Sequence, residues 1–221
     1  MGRVNALYSN YTEIAVNNYY YAKSILKEIK RHRELDFCES NFMKAEHAIM
    51  ITCVFSIMAI ESFFNDYAAT QLGDKEFYGN YDMLSLISKF QLIAKFILKA
   101  DIEKDKAYYS NLKRAEKIRN ELVHNKSKDF FDWKEKDNEK PDFKSEEELY
   151  QDAAIIRVNI KTLAKDLDEA KHSIAAIRDI ALFFDEADKS CYALTDLFSS
   201  FLTYVYKDEP ISKELKKEFN I

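Results

Sequence analysis

The chain has 221 residues, of which 47% are hydrophobic and 32% are charged, and its formal net charge is −5. It contains only 3 glycines and 2 prolines, which argues against a sheet-rich fold because hairpin turns depend on these residues. Long helices are the simplest structure for a chain with so few breaks, so we expect an all-α fold. The 3 cysteines are far apart in the sequence and suggest neither a disulfide framework nor a metal-binding pair, so we expect free thiols.

Two N-terminal segments repeat apolar residues at helical spacing. The first covers about 4–33, and its apolar positions are separated by three, four or seven residues. Asn18 lies on the same stripe, where a polar residue often sets the register of a bundle or a dimer. The second segment covers about 40–72 and ends at Gly73, a common helix-termination signal.

The second segment also contains the longest uncharged and mainly apolar run of the chain, from Ala48 to Ile60. This run is shorter than the about 20 residues that a membrane-spanning helix needs. The first residues lack the pattern of a signal peptide. We therefore expect a buried core helix, no membrane segment and a cytoplasmic protein.

The middle of the chain predicts two further helices and a loop. Helical spacing continues over about 82–99 and about 104–124, whereas 125–144 loses its periodicity and predicts a long loop. Ser145, followed by three glutamates, is a typical helix start, after which one long helix or two would fit.

The C-terminal part predicts one more helix over about 189–206, with Pro210 closing the ordered part before a short helix or a frayed tail. No internal repeat and no flexible linker divides the chain. The simplest architecture is a single domain over 1–221, an up-down helical bundle of five to seven helices.

Positive charge is concentrated in one segment of this acidic chain. Residues 104–128 hold eight Lys or Arg and three acids, a local charge of +5, which leaves −10 for the rest of the chain. Such an island is either a solvated helix face or the electrostatic footprint of a nucleic-acid-binding surface. Composition alone does not decide between the two.

A short motif lies at the end of the fourth predicted helix, Arg119-Asn120-x-x-x-His124. It resembles the R-polar-x-x-x-H signature of the HEPN superfamily, in which the motif falls late in a helix of an all-α bundle. The run 59–65 on the second helix is similar to the family's early helix, which often carries a polar residue near the site, here Glu61.

The resemblance covers about residues 1–130, the part that would form the core of a HEPN-like domain. Residues 145–207 are then additional C-terminal helices that complete the bundle.

This resemblance implies a metal-independent endoribonuclease without a cofactor, of the kind associated with toxin–antitoxin or phage-defence systems. The 2′-OH of RNA attacks the adjacent phosphate, with His124 as acid or base and Arg119 on the phosphate; these are roles that imidazole and guanidinium groups suit. Asn120 would orient His124 or a phosphate. The residues expected to bind substrate are Lys113, Lys117, Asn125, Lys126 and Glu61.

The expected partners are RNA and a second copy of the chain, with an antitoxin or a nucleotidyltransferase as a further possibility. Arg119 and His124 are five residues apart and therefore about 140° apart around a helix, so the two side chains do not lie on one face. Either the helix ends at His124 and turns, or two copies bring their motifs into one cleft, as is common in the family.

Three alternatives stay open at the sequence level. The first is a HEPN-like module that binds RNA, nucleotides or a partner without catalysis. The second is a ferritin-like di-metal bundle, since Glu121-x-x-His124 and Glu169-x-x-His172 both have ligand spacing, although neighbouring cations disfavour it. The third is a structural protein in which Arg119 pairs with Glu116 or with another helix and His124 only interacts with the helix dipole.

Overall fold

The computed structural model describes residues 7–31, 35–123, 146–202 and 210–221. Every regular element in these ranges is helical, which confirms the all-α fold. The α-helices are α1 (Tyr8–Ile29), α2 (Leu35–Leu72), α3 (Asp74–Asn80), α4 (Leu86–Leu92), α5 (Ala107–Val123), α6 (Glu146–Ala187), α7 (Ala193–Leu197), α8 (Ser199–Leu202) and α9 (Pro210–Phe219). Nine helices in the described ranges exceed the predicted five to seven, because several short ones stand between the long ones.

Helices α1 and α2 form an antiparallel pair that carries much of the core. The Thr52 hydroxyl donates a hydrogen bond to the Ala15 carbonyl oxygen at 3.2 Å, and the Tyr8 ring meets the Phe63 ring edge-on with centroids 5.7 Å apart. Gly73 ends α2 with a φ of 89°, a conformation that glycine adopts without strain. The predicted stop of the second helix is therefore confirmed.

An aromatic cluster fixes how α2, α4, α5 and α6 meet. The Phe64 ring stacks on Phe90 of α4 and on Phe184 of α6, with centroids 5.8 and 5.7 Å apart. Phe90 in turn contacts Tyr108, in the first turn of α5, at 5.9 Å. The cluster therefore lies at the end of the bundle where α5 begins.

The third predicted helix differs from the structure. Instead of one helix over about 82–99, α4 starts at the N-cap Ser85 and continues directly into a π-helical segment, Ile93–Leu98. Helix α3 was not predicted, although Asp74 and Glu76 in its first turn are a helix-start signal. Helix α3 follows Gly73 without a linker, so the sequence pattern does not separate its start from the end of α2.

The C-terminal part departs from the prediction as well. Over residues 189–202, the described part of the helix expected over about 189–206, there are two short helices, α7 and α8, with Phe198 between them. Pro210 does not close the ordered part but begins α9, where a missing backbone N–H costs nothing. The predicted loop over 125–144 and the predicted helix start at Ser145 lie outside the described residues.

Helix α6 is one continuous helix of 42 residues, which settles the choice between one long helix and two. Its residues pack against α1, α2 and α5, so it is the second central helix of the bundle beside α2.

Helix α2 is long and apolar enough over Phe37–Leu72 to cross a membrane by length and composition. However, 56% of its most apolar window is buried inside the fold, as in the core helix of a bundle. The feature is therefore weak evidence for a membrane span.

Candidate functional site

Helix α5 has a buried face and an exposed face. Tyr109, Leu112 and Ala115 are buried against α2 and α6. Lys113, Lys117 and Asn120 are exposed, as their spacing of four and three residues requires for one face of a helix. These three residues therefore share one solvent-accessible face of the helix, which we call the α5 face.

Arg119 is half-buried and lies on the side of α5 that continues the buried stripe of Leu112 and Ala115, beyond the last buried turn and not on the α5 face. Its Nη1 donates a hydrogen bond to the Asn120 side-chain oxygen at 2.9 Å. Its Nε is buried and has no hydrogen-bond partner among the described residues. No acidic side chain of the described chain pairs with Arg119, so the ion pair with Glu116 that the structural alternative assumed is not formed there.

Lys113 and Lys117 are held only weakly. The Lys113 ammonium lies over the Tyr109 ring, 5.9 Å from its centroid. Lys117 is 3.8 Å from Glu121, and both side chains are largely exposed, so the pair contributes little stability. Both lysines are therefore available to a polyanion.

Among the cations of residues 104–128, Arg114 forms an ion pair that connects two helices. Its Nε and Nη2 donate to both carboxylate oxygens of Glu169 on α6 at 2.6 Å each, a bidentate pair. Hydrogen bonds from Arg114 lower the pKa of Glu169, and the same contact raises the pKa of Arg114. Arg114 therefore joins α5 to α6 and contributes little net charge to the α5 face.

The structure does not bring Glu61 together with Arg119 within one chain. Glu61 accepts a hydrogen bond at 2.9 Å from Lys89, whose side chain is 2% exposed. Lys89 precedes Phe90, which contacts Tyr108 at the start of α5. Arg119 lies eleven residues further along, about 16 Å at the rise of an α-helix. Glu61 therefore balances a buried cation at the other end of α5.

Three of the predicted site residues lie outside the described residues. These are His124, the predicted acid or base, and the predicted substrate-binding residues Asn125 and Lys126. The described part of α5 runs to Val123, so His124 directly follows its last described turn.

The structure contains a polar network between α5 and α6 that the sequence pattern does not predict. The Asn111 amide donates to Asp179 at 2.8 Å, and its oxygen is 3.2 Å from Nδ1 of His172. Arg178 binds the same Asp179 carboxylate and donates to the Phe219 carbonyl oxygen at 2.8 Å. The one available signal was Asn111 next to the apolar stripe of α5, between Tyr109 and Leu112.

The di-metal alternative finds no support in these contacts. Glu169 is engaged by Arg114, Glu121 is near Lys117, and His172 contacts Asn111. Across the part of the chain that the structure describes, no group of three or more His, Cys, Asp or Glu side chains is placed to hold a metal ion.

No protein-family model, curated protein or solved structure matches the chain.

Proposed function

We propose that the protein is a metal-independent endoribonuclease of the HEPN type, with Arg119 on the substrate phosphate and His124 as acid or base. The observation that carries the proposal is the contrast between two arginines of α5. Arg114 is saturated by Glu169, whereas Arg119 has a buried, unpartnered Nε and no acidic partner among the described residues.

The environment of Arg119 suits a phosphate group. A guanidinium offers five N–H donors in a planar fork, and only Nη1 of Arg119 is bonded, to Asn120, within the described chain. Asn120 therefore acts as a positioning residue that fixes the orientation of the fork. Lys113 and Lys117 carry positive charge on the neighbouring α5 face and would contact the RNA backbone on either side of the bound phosphate.

The chemistry needs two proton transfers. The 2′-OH loses a proton as it attacks the adjacent phosphorus, and the 5′ oxygen gains one as it leaves, so the products are a 2′,3′-cyclic phosphate and a 5′-OH. An imidazole with a pKa of about 6.5 can perform either transfer near neutral pH. His124 supplies one of them, and Arg119 offsets the extra negative charge of the phosphorane-like transition state.

In this proposal the enzyme is a cytoplasmic homodimer without a cofactor. Its setting is a toxin–antitoxin or phage-defence system, in which an antitoxin or a nucleotidyltransferase restrains it.

The experiment that tests the proposal measures binding and cleavage of the same RNA in EDTA. We expect His124→Ala to retain binding and to lose at least about 100-fold in cleavage rate, the usual size of positioned proton transfer. Arg119→Ala should lose both. Lys161→Ala, an exposed lysine of α6, is the matched control and should change neither.

Equal binding and no cleavage by any variant, the wild type included, would favour a binding module over a nuclease. Unchanged cleavage by His124→Ala would contradict the assigned acid or base.

A further inference from the structure

The Glu218 carboxylate of α9 is bound by donors of two other helices. Its Oε1 accepts a hydrogen bond from the Tyr19 hydroxyl at 2.6 Å, and its Oε2 accepts one from the Lys23 ammonium at 2.7 Å and one from the Tyr20 hydroxyl at 3.3 Å. The Lys171 ammonium of α6 lies 3.4 Å from Oε1. We call this set of donors, Tyr19, Tyr20, Lys23 and Lys171, the α1–α6 cradle. Both carboxylate oxygens are therefore engaged, and each is near a lysine.

The cradle has the chemistry of a phosphate-binding site. Burial and the contact with Glu218 raise the pKa of Tyr19 and of Tyr20, so both hydroxyls stay protonated and can donate. The Lys23 ammonium lies over both rings, 5.8 Å from the Tyr19 centroid and 5.1 Å from the Tyr20 centroid, which helps to hold it in place. Two lysines match the charge of a phosphate group, about −1.5 to −2 near pH 7, better than the single charge of a carboxylate.

Within the part of the chain that the structure describes, only α9 supplies acids that pair with the two cradle lysines. Lys23 pairs with Glu218 and, at 3.8 Å, with the exposed Glu214, whereas Lys171 pairs with Glu218. Asp168 of α6 also acts on the cradle, but its ion-pair contacts are with other side chains. The cradle is therefore a cationic site on α1 and α6, and α9 supplies the anion that fills it.

Helix α9 depends on docking for its own stability. It has 10 residues, and a helix of this length does not persist alone in water. Besides Glu218, it is attached by the buried side chains of Leu215 and Phe219. The Ser212 hydroxyl donates to a carbonyl oxygen of α8 at 2.7 Å, and Arg178 donates to the Phe219 carbonyl oxygen at 2.8 Å. A ligand that displaces Glu218 therefore weakens the attachment of the whole helix.

We infer that the α1–α6 cradle is a phosphate-binding site and that α9 is its autoinhibitory segment, with the Glu218 carboxylate in the position of the phosphate. A phosphate-bearing ligand competes with Glu218 for the same donors, so its binding releases α9. The group that the cradle recognises is a phosphate, either free or in a nucleic acid. The cradle belongs to other helices than the α5 face, so the inference does not require ribonuclease activity and the two can fail separately.

Thermal unfolding of the full chain with Glu218→Ala, at constant ionic strength, tests the cradle. The substitution removes the internal carboxylate and leaves its donors, so inorganic phosphate should raise the unfolding midpoint in a saturable way. Binding to the wild type should be at least about tenfold weaker, because Glu218 must first be displaced. Glu214→Ala removes the exposed carboxylate of the same helix and is the matched control, which should bind phosphate as weakly as the wild type. Adding Lys23→Met to Glu218→Ala should abolish the phosphate effect.

Hydrogen exchange of the wild-type chain measures the release of α9 directly. Saturating inorganic phosphate should accelerate exchange of the α9 amides at least about tenfold and leave α2 unchanged. Acceleration by a 2′-O-methylated oligonucleotide but not by inorganic phosphate would assign the ligand to nucleic acid. Arg119→Ala should respond as the wild type does, because Arg119 is not part of the cradle. Exchange of α9 that neither ligand changes, or phosphate binding to Glu218→Ala that survives Lys23→Met, would overturn the inference.

Discussion

Arg114 and Arg119 stand five residues apart on α5 and have opposite surroundings. Arg114 is fixed by two hydrogen bonds of 2.6 Å to Glu169, a geometry that stabilises the contact between α5 and α6. Arg119 is half-buried beyond Leu112 and Ala115, and among the described residues only its Nη1 is bonded, to Asn120. The first arginine therefore belongs to the fold and the second to the candidate site.

The Arg114–Glu169 pair predicts a specific acid response. Because the folded state lowers the pKa of Glu169, the pair stabilises the fold above the ordinary carboxyl pKa of 4.5 and is lost as the pH falls through the lowered value. Glu169→Gln should reduce the free energy of unfolding at pH 7 by about 1–3 kcal/mol. It should also flatten the decline of stability below pH 4.5, as measured by urea unfolding. An equally steep decline in the variant would contradict this assignment.

Glu61 and Lys89 should respond unequally to substitution. Lys89 is almost fully buried, so Glu61→Gln leaves its ammonium with only the more distant Asp82 carboxylate, 4.0 Å away, and should destabilise the protein by about 2–4 kcal/mol. Lys89→Met removes that charge and should be nearly neutral or stabilising, and the double variant should recover most of the loss. Urea unfolding at one fixed chain concentration measures all three, with the exposed Glu103→Gln as control. Equal losses in both single variants would contradict the asymmetry.

At the scale of the elements, the Glu218 carboxylate makes the polar contacts between α9 and α1. Glu218 accepts hydrogen bonds from the Tyr19 hydroxyl at 2.6 Å and from the Lys23 ammonium at 2.7 Å. Burial alone would raise the pKa of Glu218, but these hydrogen bonds outweigh burial and lower it. The helix is thus joined to α1 by charge-assisted contacts as well as by the burial of Leu215 and Phe219.

Glu218→Gln should loosen α9 without unfolding the bundle. We expect hydrogen exchange of the α9 amides to accelerate at least about tenfold, while exchange in α2 stays unchanged. Glu214→Gln, which removes an exposed carboxylate of the same helix, is the matched control. Equal effects of the two substitutions would show that Glu218 is not the specific attachment.

Periodicity predicts the long helices because their buried faces repeat within a single element. The exposed lysines of α5 follow from the same local spacing. The Arg114–Glu169 pair does not, because its partners are 55 residues apart and meet only after α5 packs on α6. Pro210 was misread as a terminator because the sequence does not distinguish a proline after a helix from one that begins the next.

At the scale of the whole molecule, the thiols report on the integrity of the bundle. Cys38 and Cys53 are buried, and burial raises the pKa of Cys53 and of the half-buried Cys191 to about 11. At pH 7.5 well under 1% of these two thiols is ionised, so alkylation should be slow in the native state. Mass spectrometry should find all three labelled rapidly in urea but Cys53 unlabelled without it. Rapid native labelling of Cys53 would show that the bundle opens readily.

The most direct measurement of the central claim compares an RNA with its fully 2′-O-methylated counterpart of the same sequence, both incubated with the wild-type protein in EDTA. If Arg119 holds the phosphate while His124 moves a proton of the 2′-OH reaction, only the unmodified RNA is cut, and its 5′ fragment ends in a 2′,3′-cyclic phosphate. Cleavage of the methylated strand, or products without the cyclic phosphate, would contradict the account, as would intact RNA after prolonged incubation.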